Sequence, residues 1–403
     1  MRIALVSEHA DPLAAIGGTD AGGQNVHVAA LAAGLVRRGH DVTVFTRRDT
    51  TGGAAAVRCE DGYVVRRITA GPPTDVPKDE LLQYMPAFGA RLRTHLEAER
   101  PDLVHAHFWM SGLASRDATR GTGIPVVQTF HALGSVKRRE QGDADTSPPT
   151  RIDHERRLCR DVDHVVATCA DEVEELRELG LPPGRASVIP CGVDTDLFRP
   201  GPRRDPDGPP RLLVVGRLVT RKGIGNTVEA LRDLPGVELV IAGGPRRDAL
   251  DADPAVVRLR ALADRLGVAD RVRLVGSVAR PDVPALIRDC DVVVAVPWYE
   301  PFGIVPLEAM ACGRPVVGSA VGGLLDSVVP GETGELVAPR RPDQVARAVR
   351  GLLDDPARRA AYGVASRRRA VERYDWRRVV EQTETVYRAV AGVHARPTTK
   401  VLR

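Results

Sequence analysis

Short apolar runs that end in turns rich in glycine, proline or charge recur along this chain, and segments with helical apolar spacing lie between them. Arg2 to Ser7, Asp41 to Thr46, Leu103 to Ala106, Val126 to Thr129 and Val165 to Thr168 read as strands, and Asn25 to Arg38 as a helix. Such alternation predicts a parallel sheet covered by helices on both faces. The pattern changes near Ile189, and Pro200 to Pro210 has the Pro/Gly/Arg/Asp composition of a linker. A second series then begins, with strands at Arg211 to Val215, Glu238 to Ala242, Arg273 to Val275, Asp291 to Val296 and Pro315 to Ser319.

Two doubly wound, Rossmann-like domains of α/β class are therefore expected, over residues 1–195 and 196–375. The helical stretch from Trp376, placed at 376–392, crosses back to the first domain, and His394 to Arg403 reads as a frayed tail. The 403 residues suffice for two such cores, and no apolar run approaches the ~20 residues that a membrane span needs. The opening strand is too short and wrongly flanked for a signal peptide, so the cytoplasm is the expected location. A net charge of +4 and an aromatic content of 4% argue against a nucleic-acid partner. The six cysteines form no C-x-x-C pair and read as reduced core residues.

Chemistry concentrates where strands end. Val292 to Val317 runs from an apolar strand through a turn carrying Glu300 into a short helix with Pro306 and Glu308 near its start. The N–H groups near Gly303, Ile304 and Val305 are then those that a helix leaves unpaired, a setting that favours an anion such as phosphate. Glu300 and Glu308 repel phosphate and so suit sugar or ribose hydroxyls. After Arg211 to Val215, the segment Gly216 to Gly223 places Arg217 and Lys222 beyond a strand's carboxyl end, where two cations can neutralise a diphosphate. Only four of the 57 basic residues are lysines, so a lysine inside this motif hints that a compact ammonium is wanted there.

Two features of the first half are open to more than one reading. Gly17 to Gln24 is a glycine-rich loop running into a helix, either a phosphate cradle or a surface loop, and it lacks G-x-G-x-x-G. His131 follows the strand Val126 to Thr129 and could meet a substrate hydroxyl or be a capped structural residue. His105 and His107 share a strand face with no third ligand in view, and the D-x-D pairs follow no apolar strand, so no metal is expected.

Together Gly22-Gly23, His131, Gly216-Arg217…Lys222-Gly223, Glu300-Pro301-Phe302-Gly303…Glu308-Ala309 and Ile189-Pro190-Cys191-Gly192-Val193-Asp194 resemble the family-4 retaining glycosyltransferases of GT-B fold. Cys191 stands where that family usually has asparagine. The resemblance spans nearly the whole chain and implies two domains facing a central cleft, acceptor on the first and nucleotide-sugar on the second. It implies that Arg217 and Lys222 hold the donor diphosphate, Glu308 the ribose, and Glu300 a hydroxyl of the transferred sugar. Phe302, Gly303, Ile304 and Val305 would line sugar and phosphate with backbone, Arg280 would lie by the base, His131 by the sugar's primary hydroxyl, and Gly22 and Gly23 by the phosphate. Catalysis would rest on Glu300, His131, Arg217 and Lys222, by front-face attack without a metal or cofactor, the nucleotide-sugar being a co-substrate.

Gly22 to His27 is similar both to the sucrose-phosphate-synthase branch and to the actinobacterial inositol-phosphate N-acetylglucosaminyltransferases. By that likeness the acceptor meets Asn25, Lys78, Phe108, Ala132 and Arg151. Phe108 and Ala132 stand where the inositol-phosphate branch has a tyrosine and a threonine that bind the acceptor phosphate. The expected reaction moves glucose or N-acetylglucosamine from a UDP-sugar, uridine being the family's habit, to a soluble polar acceptor: a cyclitol, an aminocyclitol or a sugar or its phosphate. A lipid-linked acceptor is the alternative, from the basic run Lys137-Arg138-Arg139 with Arg151, Arg156, Arg157 and Arg160. From other classes, an oxidoreductase is disfavoured by the missing dinucleotide fingerprint, and a non-catalytic nucleotide-sugar binder by the intact cation and glutamate motifs.

Overall fold

A computed structural model of the chain describes residues 1–14, 22–202 and 208–394. The Gly17 to Ala21 part of the glycine loop, residues 203–207 of the linker and the tail beyond 394 lie outside the described residues. Among those described, one compact unit contains the chain up to Pro190 together with the helix from Val379, and the other runs from Cys191 to Arg378.

The first unit holds an eight-stranded sheet of β1 (Arg2–Val6), β2 (Asp41–Arg47), β3 (Ala56–Arg58), β4 (Val64–Ile68), β5 (Leu103–His107), β6 (Val126–Thr129), β7 (His164–Ala167) and β8 (Ala186–Val188). Their order is β3-β4-β2-β1-β5-β6-β7-β8. Only β3 runs antiparallel to its neighbour. The central strands are almost wholly buried because helices cover both faces, and β5 buries even its two histidines, His105 and His107. Leu5, in β1, lies opposite Val44 and His105 and is fully buried, a burial that contributes about 1.5–3 kcal/mol.

The second sheet comprises β9 (Arg211–Val215), β10 (Glu238–Ala242), β11 (Val272–Gly276), β12 (Val292–Ala295), β13 (Val316–Ser319) and β14 (Gly334–Val337). All its pairings are parallel, in the order β11-β10-β9-β12-β13-β14. Winding outward both ways from β9 creates a switch point between β9 and β12, as between β1 and β5 in the first unit. The loops at the carboxyl ends of these strands diverge there and leave a crevice.

The unit boundary falls at Pro190, before the Pro/Gly-rich segment that reads as a linker. Cys191, Val193 and Phe198 are buried in the second unit's core with Val293 and Met310. The Val193 N–H donates to Tyr374 O at 2.7 Å, so the chain has joined the second unit before it reaches residue 195. At the other end, the helix Trp376–His394 leaves the second unit within its first turn. A Cβ on Gly34 would stand 2.4 Å from Val380 Cγ2, which shows how closely this helix seats on Gly23–Arg37. Glu384 pairs there with Arg38, His40 and Arg388. No helix among the described residues is long and apolar enough to cross a membrane.

Candidate functional site

In the second unit, the loops following β9 and β12 are laced together at the switch point. The Trp298 N–H donates to Arg221 O at 2.7 Å. Gly223 has φ +68°, and a Cβ on it would lie 1.9 Å from Val296 O, so only glycine lets the two loops meet. The contact carries Lys222 to Glu300, and the two form an ion pair. Burial pushes the Glu300 pKa up, but Lys222, Arg221 and Arg217 outweigh it and the net shift is downward. Glu300 is thus held ionised beneath a cluster of cations.

The helix Ile304–Ala311 starts just beyond, capped by Gly303, with Pro306 in its first turn. A Cβ on Gly303 would lie 3.3 Å from Glu300 Cγ, so the start of this helix adjoins Glu300. A second glycine turn buttresses this loop from behind: a Cβ on Gly322 would meet Glu300 O at 2.0 Å, and the Gly323 N–H donates to Glu300 O and Pro301 O. One turn into the helix, Glu308 is buried and accepts from Arg280 Nη1 at 2.7 Å. Its single cation does not offset burial, so its pKa is raised. Arg280, which the family resemblance places by a base, therefore stands against Glu308, with its guanidinium 5.1 Å from the centre of the Phe198 ring.

In the first unit the expected residues form two groups. Asn25 accepts from the Gly22 N–H at 3.0 Å and donates to Asp11 O at 2.9 Å. Lys78, Phe108, Ala132 and Arg151 come together, with Lys78 Nζ 5.7 Å and the Arg151 guanidinium 5.1 Å from the centre of the Phe108 ring. Arg151 does not stand exposed as a second cation. It is buried and donates to Glu155 at 2.8 Å, to Ser147 Oγ at 3.2 Å and to Ala132 O at 2.6 Å.

Strain marks the same place. Phe108 has φ +82° and His131 φ +61°, conformations that cost a non-glycine residue on the order of 1–3 kcal/mol and collect where the surroundings over-determine them. Here the Phe108 N–H donates to Thr129 O, and the Gln128 side chain donates to the carbonyls of Phe108 and Thr129. His131 Nε2 lies 3.0 Å from His107 Nδ1, and the His107 ring packs 4.2 Å from that of His105. Among the described residues, no group of three or more potential ligands has metal-site geometry.

Several participants escaped sequence reasoning. Arg221 lies inside the quoted β9 motif and could have been counted as a third cation. Glu8, at the end of β1, is fully buried, bonded to Ser111 and His9, and has no motif around it. Gly322 and Gly323 show their role only once folded, and Tyr387, bonded to His105, gives no local signal.

Comparison with known proteins shows the family to which these residues belong. Residues 21–197 match the family model described as Glycosyltransferase Family 4, and residues 200–369 match Glycosyl transferases group 1. The D-inositol 3-phosphate glycosyltransferases of Mycobacterium tuberculosis and Mycobacterium bovis are 35% identical to the chain over 406 aligned positions, covering 97% of it and 84% of their own length. Among solved structures, sucrose-phosphate synthase from Thermosynechococcus elongatus superposes with TM-score 0.89 at 32% identity, covering 98% of this chain and 100% of that one. Anabaena HepE, solved with UDP and glucose, superposes with TM-score 0.76 at 22% identity over 96% and 100% of the two chains, a likeness of fold.

Proposed function

The chain belongs to the family-4 glycosyltransferases and has their GT-B fold, and on that premise we propose that it moves a hexose, glucose or N-acetylglucosamine, from a UDP-sugar to a soluble polar acceptor with retention of configuration. The observation that carries the donor half is the gathering of Arg217, Arg221 and Lys222 around Glu300 at the switch point of the second sheet. In this reading Arg217 and Lys222 hold the diphosphate, assisted by the N–H groups of the Gly303 to Val305 turn. Glu300 takes a hydroxyl of the sugar, Glu308 the ribose, and Arg280, already bonded to Glu308, stands beside the base. The UDP and UDP-glucose bound to HepE make a uridine donor the natural first test.

Retention through a glycosyl-enzyme would need an accessible carboxylate nucleophile. In the first unit, the carboxylate at the end of β1 is Glu8, which is sealed and bonded to Ser111 and His9. Front-face attack is therefore the reading we adopt. The acceptor oxygen takes the anomeric carbon as the diphosphate leaves, the diphosphate receives the acceptor's proton, and the cations stabilise its charge. That chemistry asks for no metal.

For the acceptor, the Lys78, Phe108, Ala132 and Arg151 group favours a polyol such as a cyclitol or aminocyclitol over its phosphate. Arg151 is neutralised by Glu155, and Phe108 and Ala132 bring no hydroxyl. A lipid-linked acceptor is less well supported, because much of the basic run is paired within the protein: Lys137 and Arg138 with Asp145, Arg139 with Glu175, Arg156 with Asp153. The test is a thermal-shift panel of UDP-, GDP- and ADP-sugars against NAD(P), followed by mass-spectrometric screening of cyclitols, aminocyclitols and their phosphates without detergent. Stabilisation by NAD(P) alone, or transfer only in the presence of lipid, would refute it.

A further inference from the structure

Hydrogen bonds among Tyr387, His105 and Thr129 and between His107 and His131, joined by the packing of the His105 and His107 rings, connect the helix Trp376–His394 to His131. The Thr129 hydroxyl donates to Val166 O at 3.0 Å, so it accepts from His105 Nε2 at 2.9 Å. His105 is then protonated on Nε2, and its Nδ1 accepts the Tyr387 hydroxyl proton at 2.5 Å. With both nitrogens fixed, the His105 ring holds its plane and clamps the His107 ring against it.

His107 is fully buried, and its Nε2 has no hydrogen-bond partner among the described residues. Burial, with the neighbouring imidazoles, keeps His105, His107 and His131 uncharged, so His107 has one proton to place. On Nε2 that proton would be an orphaned buried N–H, among the rarest defects in folded proteins, whereas on Nδ1 it bonds to His131 Nε2 at 3.0 Å. His131 must then accept at Nε2 and carry its own proton on Nδ1.

We propose that His107, held in plane by His105 and Tyr387, is the positioning residue that fixes the tautomer of His131, so that His131 offers an Nδ1–H donor and selects an oxygen acceptor on its ligand. An uncharged imidazole with its proton on Nδ1 bonds a hydroxyl, ring or carboxylate oxygen and repels an ammonium. Resting on the reading of His131 as the contact for the transferred sugar's primary hydroxyl, the inference gives the donor an oxygen at that carbon, not an amine.

The tautomer is measured without substrate, on the full chain labelled with 15N at histidine, with His131 assigned from a His131→Asn variant. Expected are a protonated Nδ1 and a pyridine-like Nε2 on His131, and a mixture of tautomers in His107→Ala. His107→Asn, whose amide can donate from the Nδ1 position, restores the wild-type signature, and Tyr387→Phe alters the His105 signals first. A wild-type His131 protonated on Nε2 overturns the proposal, as does a His107→Ala spectrum identical to wild type. In turnover, a UDP-sugar with 6-amino in place of 6-hydroxyl should react at least about tenfold more slowly than its 6-deoxy counterpart, because a repelled ammonium costs more than a missing bond. A 6-amino donor used as well as the hydroxyl one overturns the selectivity. Failure of every sugar nucleotide to react refutes the transferase reading, and the tautomer still decides the inference.

Discussion

Separating the two halves of the Lys222–Glu300 pair tests the donor site most sharply, because substituting either residue changes something different. The two stand 78 positions apart in sequence and meet only through the laced loops of the second sheet. In the free protein each neutralises the other, with side chains 25% and 14% exposed. On the proposed roles, Lys222 turns to phosphate and Glu300 to the sugar when a diphosphate arrives, so the pair has to open. At an effective dielectric of about 20 the gross attraction of such a pair is about 4 kcal/mol, most of it offset by desolvation.

Lys222→Ala removes a charge-assisted contact worth about 1.5–3 kcal/mol, so UDP should bind roughly 10- to 150-fold more weakly. Glu300→Gln instead releases Lys222, and UDP should bind as well as to wild type or a few-fold more tightly. Transfer should nonetheless fall by about 100-fold or more in both variants, since each lacks a group that the proposed function sets against the reacting sugar or its leaving group. Calorimetric titration with UDP and single-turnover transfer separate these effects. Thermal melts check the fold, which Lys222→Ala should weaken by no more than about 2 kcal/mol because Arg217 and Arg221 still face Glu300. Equal loss of UDP affinity in the two variants, or wild-type turnover in either, would refute the assignment.

Three other outcomes are expected. The pKa of His27 is lowered by burial from 6.5 to about 4, and those of His105, His107 and His131 are lowered as well. Below pH 6.5 the unfolded chain takes protons that the folded chain refuses, so stability should fall as pH drops from 6.5 toward 4, by on the order of 3 kcal/mol from His27 alone. The raised Glu308 pKa gives part of this back once that group protonates, and denaturant melts between pH 7.5 and 4 would trace the curve. Gly223→Ala should cost about 3 kcal/mol or more, because the added methyl overlaps Val296 O in a left-handed backbone, and denaturation midpoints will show it. Phe108→Tyr with Ala132→Thr, which returns two hydroxyls beside Lys78, should raise transfer to a cyclitol phosphate by about tenfold relative to the free cyclitol while UDP affinity stays put, as competition assays would report.

Legibility in the sequence follows burial. The inner strands are near-continuous apolar runs because helices cover both faces, so β1, β2, β5, β6 and β7 in one sheet and β9 to β13 in the other can be read directly. The strands that escaped, β3, β4, β8 and β14, lie toward the sheet margins, where Arg66 and Arg67 interrupt β4 and Gly334 and Glu335 open β14. Site residues were legible one at a time, since Gly223, Glu300 and Pro306 each carry local chemistry. Their pairings were not, because nothing near Lys222 announces Glu300, nothing near Arg280 announces Glu308, and Arg151 looks like an available cation until Glu155, Ser147 and Ala132 are folded around it. For the same reason the boundary between the compact units, at Pro190, falls a few residues before the expected residue 195: Val193 and Phe198 show their allegiance only through the core that receives them.

Glu300 and Glu308, on either side of one helix start, are both pushed up by desolvation and yet end with opposite shifts. The difference is the number of cations each faces. One arginine leaves the pKa of Glu308 raised by its burial, and the proposed function sets this carboxyl against the paired hydroxyls of a ribose. Three cations hold Glu300 ionised, and the excess has a use beyond Glu300 itself. A carboxylate beside a diphosphate is tolerable only if the local charge stays positive after it is counted. Arg217, Arg221 and Lys222 less Glu300 leave about two positive charges, against the roughly two negative charges that a sugar diphosphate brings. Without Arg221, the cation that the motif reading passed over, the balance would fail by one, and the loop lacing that carries Lys222 to Glu300 is also what brings that third cation to the site.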